Sequence, residues 1–138
     1  MDLKLKDKVA LITGSSRGIG LATATAFAAE GCCLVLSARS AAPLAAAEAA
    51  LRAAGVAVVS CLADVGQPDQ AARLVEAAAA FGGIDILVNN VGGGGGGARI
   101  ADSTDEEWRG ALERNLIQTV RMMRLALPHM QGLSLIHI

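Results

Sequence analysis

The run Thr13-Gly14-Ser15-Ser16-Arg17-Gly18-Ile19-Gly20 follows directly on the apolar stretch Val9-Ala10-Leu11-Ile12. A buried strand entering a glycine-rich turn, with a helix opening inside the turn, is how α/β proteins seat a dinucleotide pyrophosphate. Glycines let the backbone approach the phosphates, and the helix N-terminus offers free N–H groups and a partial positive charge. The spacing is Gly-x-x-x-Gly-x-Gly, which departs from the common Gly-x-Gly-x-x-Gly. Here Gly14 is expected to make the turn, and Ser15 and Ser16 to donate hydroxyl and amide hydrogens to phosphate. Gly18 and Gly20 are expected to let the helix close on cofactor and sheet. A strand–helix turn with no ligand uses the same residue types, so the flanking elements carry the reading.

Working outward, strand-like and helix-like segments alternate with little slack. Lys8 to Thr13 reads as a first strand, apolar almost throughout, as expected when helices cover both sheet faces. Gly18 to Glu30 reads as a helix with Ile19, Ala22, Ala26 and Phe27 on one side, closed by Gly31. Cys33 to Ser37 is a second strand. Ser40 to Ala54 is a second helix, with Leu44, Ala47, Leu51 and Ala54 as its stripe. Ala57 to Cys61 is a third strand. Pro68 opens a third helix whose buried face is Ala71, Leu74, Val75 and Ala78. Ile84 to Val88 is a fourth strand. A glycine run follows from Gly92 to Gly97 and reads mostly as a flexible loop. Ser103-Thr104-Asp105-Glu106-Glu107 offers a capped, acidic helix start. That helix is expected to run to about Leu127, with Leu112, Leu116, Val120, Met123 and Leu127 as its apolar stripe and Pro128 marking its end. Gly132 to Ile138 can supply a fifth strand. The pattern predicts an α/β fold: a Rossmann-like, doubly wound parallel sheet of four to five strands in the order 3-2-1-4-5, with right-handed crossovers.

Composition narrows the function classes. The 138 residues suit a single domain spanning 1–138. A formal net charge of -1 argues against a nucleic-acid or polybasic membrane partner. No uninterrupted apolar stretch reaches about 18 residues, so no spanning helix is expected. Met1 to Lys8 is charged and does not read as a secretory signal. Cys32, Cys33 and Cys61 read as reduced, buried thiols of a cytoplasmic protein. His129 and His137 have neither metal-ligand spacing nor a partnered nucleophile, so no metal site is expected.

The end of the second strand selects the nicotinamide cofactor. A carboxylate there would hydrogen-bond a free ribose 2′-hydroxyl and repel a 2′-phosphate. The sequence has Ser37-Ala38-Arg39-Ser40 and no acid. Arg39, with help from Arg17, favours a 2′-phosphate, which puts NADP(H) ahead of NAD(H). A solvated surface arginine is the plainer alternative. Asp64 and Asn89-Asn90-Val91-Gly92 follow the third and fourth strands, where ligands of open α/β sheets lie.

These residues resemble the short-chain dehydrogenase/reductases of the classical type. Thr13 to Gly20 matches the family's Thr-Gly-x-x-x-Gly-x-Gly motif. Asp64-Val65 resembles the acidic pair that contacts the adenine, and Asn89-Asn90-Val91-Gly92 resembles Asn-Asn-Ala-Gly. Asn115-Leu116 resembles the helix asparagine of the catalytic tetrad, which holds a water in a proton relay. The resemblance covers about residues 6 to 130. It implies that Thr13, Gly14, Ser15, Ser16, Arg17, Gly18, Ile19, Gly20, Arg39, Asp64, Val65, Asn90 and Gly92 bind the cofactor and that Asn115 is catalytic. It implies hydride transfer between the nicotinamide and a small-molecule carbonyl or secondary alcohol, such as a 3-oxoacyl group on a carrier protein. It also implies a homo-oligomer built through the helix over 104–127, while Arg114, Arg121 and Arg124 read as a solvated basic face.

The family's chemistry also needs a serine and a Tyr-x-x-x-Lys motif, the tyrosine acting as general acid or base beside the lysine. The sequence has no tyrosine, and its lysines are Lys4, Lys6 and Lys8. Pro128-His129-Met130-Gln131-Gly132 is compressed relative to the family, so a C-terminally truncated chain is expected, with residues 132–138 a shortened strand or a non-native tail. An enzyme portion inactive by itself, a non-catalytic NADP-binding module and a product without a stable fold are the readings that remain.

Overall fold

The computed structural model describes residues 3–94 and 99–130. Its sheet has four parallel strands: β1 (Val9–Thr13), β2 (Cys33–Ala38), β3 (Val58–Leu62) and β4 (Ile86–Val88). Their order is β3-β2-β1-β4. The helices are α1 (Gly18–Ala29), α2 (Ala41–Ala53), α3 (Pro68–Phe81), α4 (Asp105–Leu112) and α5 (Gln118–Met130), with a π-helical segment, Glu113–Ile117, joining the last two. The described strands therefore follow the expected order 3-2-1-4-5 as far as its fourth member. The fifth strand expected over 132–138 lies outside the described residues, as does the second half of the glycine run, 95–97.

Side chains alternate across the sheet with the two-residue period of a strand. Val9, Leu11 and Val35 face Leu74, Val75 and Ala78 of α3 and Met122 and Ala126 of α5. Ala10, Ile12, Leu34 and Leu36 face Ala24 of α1 and Leu44, Ala47 and Leu51 of α2. Leu11, Ile12, Leu34 and Leu36 are wholly buried, each contributing about 1.5–3 kcal/mol by leaving water. The chain leaves β1 toward β2 and β3, then returns to place β4 on the other side of β1. That reversal opens a crevice at the carboxyl ends of β1 and β4.

Several boundaries and faces differ from expectation. The third strand sits one residue later, at Val58–Leu62. The fourth is shorter: Asp85 places its own carboxylate on the Val9 N–H at 2.8 Å, so a side chain takes a place in the ladder before Ile86. On α1 the expected stripe fails except at Phe27, which packs against the core. Ile19 is 80% exposed, Ala22 and Ala26 are also exposed, and the helix buries Gly20 and Ala24 instead. The helix is apolar on all sides, so hydrophobic spacing carries no phase.

The last helix corrects two further expectations. α5 continues through Pro128 to Met130, whose buried side chain anchors the final turn. Its buried face is Gln118, Met122, Ala126 and Met130. The larger apolar residues Leu112, Leu116, Val120, Met123 and Leu127 are exposed. Small Ala126 lets α5 lie close on α3 and the sheet, which bulkier side chains would prevent.

Candidate functional site

The glycine turn is held from beneath by polar side chains. Thr13 Oγ1 donates to the Val88 carbonyl at 3.3 Å and accepts from the Asn90 and Val91 N–H groups at 3.0 and 3.2 Å. Asn90 Nδ2 returns to the Thr13 and Gly14 carbonyls, both at 3.1 Å. Together they splice the ends of β1 and β4. Ser15 is fully buried. Its hydroxyl donates to the Ile12 carbonyl at 2.9 Å and accepts from Ser37 N–H at 2.9 Å, and its own N–H donates to the Ser37 carbonyl at 2.9 Å. Ser15 is thus a strut between β1 and β2, not a phosphate donor as expected, because both its donors are spent on backbone.

Glycine is required at this turn for two different reasons. Gly14 and Gly18 have φ of +65° and +57°, which side-chain-bearing residues rarely adopt. At Gly20 the limit is space: a Cβ would lie 2.3 Å from the Gly14 carbonyl oxygen and 2.6 Å from Asn90 Nδ2. The helix therefore starts pressed against the turn. Arg17, its N-cap, offers no side-chain cap from among the described residues, which leaves first-turn N–H groups for a ligand.

A pocket of about 360 Å³ opens above this turn. Gly14, Ser16, Arg17 and Gly18 line it, with Arg39, Ser40 and Pro43 after β2, Asp64 and Val65 after β3, and Asn90, Val91 and Gly92 after β4. Every contribution comes from the carboxyl end of a strand or the start of the next helix. Ser40 is the N-cap of α2 and makes no cap bond through its side chain, so hydroxyl and helix terminus stand beside Arg39. Asp64 shapes its own loop. It accepts the Gly66 N–H on Oδ1 at 3.0 Å, while its N–H donates to Gln70 Oε1 at 2.9 Å. Ile19 and Thr13 do not line the pocket.

Asn115 lies within the π-helical segment, a distortion found often at functional sites. Its Oδ1 accepts the Gly93 N–H and its Nδ2 donates to the Gly93 carbonyl, each at 3.0 Å. A Cβ at Gly92 would come within 3.0 Å of Asn115 Oδ1, so a glycine in the pocket wall admits the asparagine.

The comparison with known proteins accounts for this arrangement. Residues 8–134 match the model of the short chain dehydrogenase family. The chain belongs to the short-chain dehydrogenase/reductases. The oxidoreductase YvrD of Bacillus subtilis is 41% identical over 130 residues, which is 94% of this chain and 49% of that protein. The L-sorbose reductase of Gluconobacter frateurii, solved with NADPH and L-sorbose, superposes with a TM-score of 0.87 at 42% identity, covering 94% of this chain and 50% of that one. A Burkholderia phymatum short-chain dehydrogenase/reductase solved with NAD gives a TM-score of 0.85 at 35% identity, over 94% and 46% of the two chains. The chain thus spans about half the length of the relatives it matches.

In this short-chain dehydrogenase/reductase two residues near the site escaped sequence reasoning. Gln118 is buried and donates through Nε2 to the Val91 carbonyl at 3.1 Å and to the Arg114 carbonyl. Arg121 is not part of a solvated basic face. Its side chain is 12% exposed and bonds the loop after β3. The available signal was a polar pair three residues apart, set among apolar neighbours on one helix. Among the described residues no group of three or more His, Cys, Asp or Glu is placed to hold a metal, and no helix is long and apolar enough to cross a membrane.

Proposed function

We propose that residues 1–138 form one dinucleotide-binding unit of an NADP(H)-dependent oxidoreductase. The reaction class is reversible hydride transfer between the nicotinamide and a carbonyl or secondary alcohol, 3-oxoacyl or a similar ketone, with a proton gained or lost at the oxygen. The observation that carries the NADP(H) preference is the place of Arg17 and Arg39 in the pocket lining, beside Ser40 at the open N-terminus of α2. No carboxylate stands between Ser37 and Ser40 to repel a 2′-phosphate. Ser16, Gly14, Gly18 and Gly20 give the pyrophosphate its seat, Asp64 and Val65 face the adenine, and Asn90 and Gly92 form the wall toward the nicotinamide. Asn115 serves the proton relay.

Similar structures hold either NADPH or NAD, so calorimetric titration of this chain with NADPH and NADH is the test. NADPH is expected to bind more tightly by about tenfold or more, the scale of a charge-assisted pair at the 2′-phosphate. Equal affinities would remove the preference, and no binding would remove the cofactor reading.

A second reading is a module that binds NADP(H) without turnover. The 138-residue chain is expected to bind NADPH and reduce ketones little or not at all. Robust NADPH-dependent ketone reduction by this chain contradicts that expectation. A homo-oligomer is proposed through the exposed apolar residues Leu112, Leu116, Val120, Met123 and Leu127, which recur every three or four residues along the chain. A cytoplasmic location accords with its three free cysteines.

A further inference from the structure

The strands β3 and β4 are not neighbours. β2 and β1 lie between them, so no ladder bond links the loop after β3 to the loop after β4. Both loops line the pocket, through Asp64 and Val65 on one and Asn90 and Val91 on the other. The sheet relates them only through two intervening strands, and a direct tie between the loops has to come from outside it.

Helix α5 reaches both. Gln118 and Arg121 lie three residues apart and so share a face of the helix. Gln118 Nε2 donates to the Val91 carbonyl at 3.1 Å. Arg121 Nη1 donates to the Val65 and Gly66 carbonyls at 3.1 and 3.0 Å, and Nη2 pairs with Glu113 at 2.8 Å. Both side chains are largely withdrawn from solvent, where such bonds are strong and a missing partner is costly. Only a planar guanidinium offers donors in this fork. A lysine ammonium is a single point charge on a flexible stem.

We propose that Gln118 and Arg121 are positioning residues: a cross-brace on α5 that holds the Asp64–Val65 loop at a set distance from the Asn90–Val91 loop, and thereby places the adenine seat relative to the glycine turn that Asn90 is bonded to. Glu113 holds the guanidinium in the brace. The proposal rests on the cofactor reading above and adds residues that lie outside the pocket lining.

The test uses the 138-residue chain with two probes, adenosine 2′,5′-bisphosphate for the adenine half and inorganic pyrophosphate for the glycine turn, and thermal unfolding as a control. Arg121→Met and Gln118→Leu are each expected to weaken adenosine 2′,5′-bisphosphate by about tenfold, the scale of lost bonds to a charged or buried donor, while pyrophosphate affinity stays within about twofold. Arg121→Lys is expected to recover part of the loss. Wild-type binding with an unchanged Arg121→Met overturns the brace and leaves the cofactor reading standing. Equal weakening of both probes overturns it too, since a loosened fold does not distinguish them. Loss of the cooperative transition in Arg121→Met, Arg121→Lys and Gln118→Leu alike makes the pair a matter of general stability and likewise overturns it. Failure of the wild type to bind either probe is the separate failure of the cofactor reading.

Discussion

Asn115 grips Gly93 with both ends of its carboxamide, accepting from the Gly93 N–H and donating to the Gly93 carbonyl, each at 3.0 Å. A further bond from Nδ2 reaches the Ala111 carbonyl at 2.9 Å. The π-helical turn and the loop after β4 are therefore tied at one residue. Asn115→Ala is expected to lower unfolding free energy by about 1 kcal/mol, since the bonds are exposed to water. Hydrogen exchange at the Gly93 amide should quicken more than exchange in β1. Unchanged exchange at Gly93 would show that the grip does not order the loop.

The two demands on glycine separate by substitution. Gly18 has a positive φ but open space around it, so Gly18→Asn, the side chain that best tolerates this conformation, should cost only about 1 kcal/mol. Gly20→Ala forces a carbon against the Gly14 carbonyl and should cost about 3 kcal/mol or displace the turn. Urea unfolding of both variants checks the ranking. A reversed order would contradict the close approach of α1.

Asp85 ties the start of β4 to the start of β1 through two bonds of unequal weight. Its Oδ2 accepts the Val9 N–H at 2.8 Å, and its Oδ1 meets Lys8 Nζ at 3.1 Å. The lysine side chain is 43% exposed, so solvent screens that pair. Lys8→Met should change stability by less than about 0.5 kcal/mol. Asp85→Ala strands a backbone N–H and should cost about 2 kcal/mol. Denaturant unfolding of the two variants side by side measures the difference.

Burial raises the pKa of Cys32 above its ordinary 9.0, with Cys33, Asp85 and Glu30 adding to the rise. Burial raises Cys61 as well, against an opposing pull from Arg73. The folded state thus holds these thiol protons more tightly than the unfolded state. Their contribution to stability is whole below the unfolded pKa and declines as pH climbs from about 9 through the raised folded values. Unfolding free energy should fall over that range, and Cys32→Ala should fall less steeply. Native Cys32 should also resist thiol-specific labelling at neutral pH, whereas rapid labelling would contradict its burial.

Much of this architecture is legible in the sequence where spacing carries contrast. The buried faces of α2 and α3 stand where Leu44, Ala47 and Leu51 and then Ala71, Leu74, Val75 and Ala78 put them. The glycine turn, Arg39, Asp64 and Asn90 meet in one pocket because strand ends converge there. Contrast fails on α1, which is apolar all round, and on α5, where two apolar stripes compete and the smaller one packs. Ser15 shows another limit: its residue type suits a phosphate or a buried strut, and only the position of the Ser37 backbone separates the two. Arg121 is similar, since its acceptors are carbonyls 55 and 56 residues away.

The proposed fit of this pocket to a dinucleotide bearing a 2′-phosphate is read in the ratio of NADPH to NADH affinity, measured in wild type and in Arg39→Ala. Wild type is expected to favour NADPH by about tenfold or more, and Arg39→Ala to lose most of that ratio through weaker NADPH binding, with NADH nearly unchanged. A ratio near one in wild type, or a preference that survives Arg39→Ala intact, would rule out a 2′-phosphate seat at Arg39.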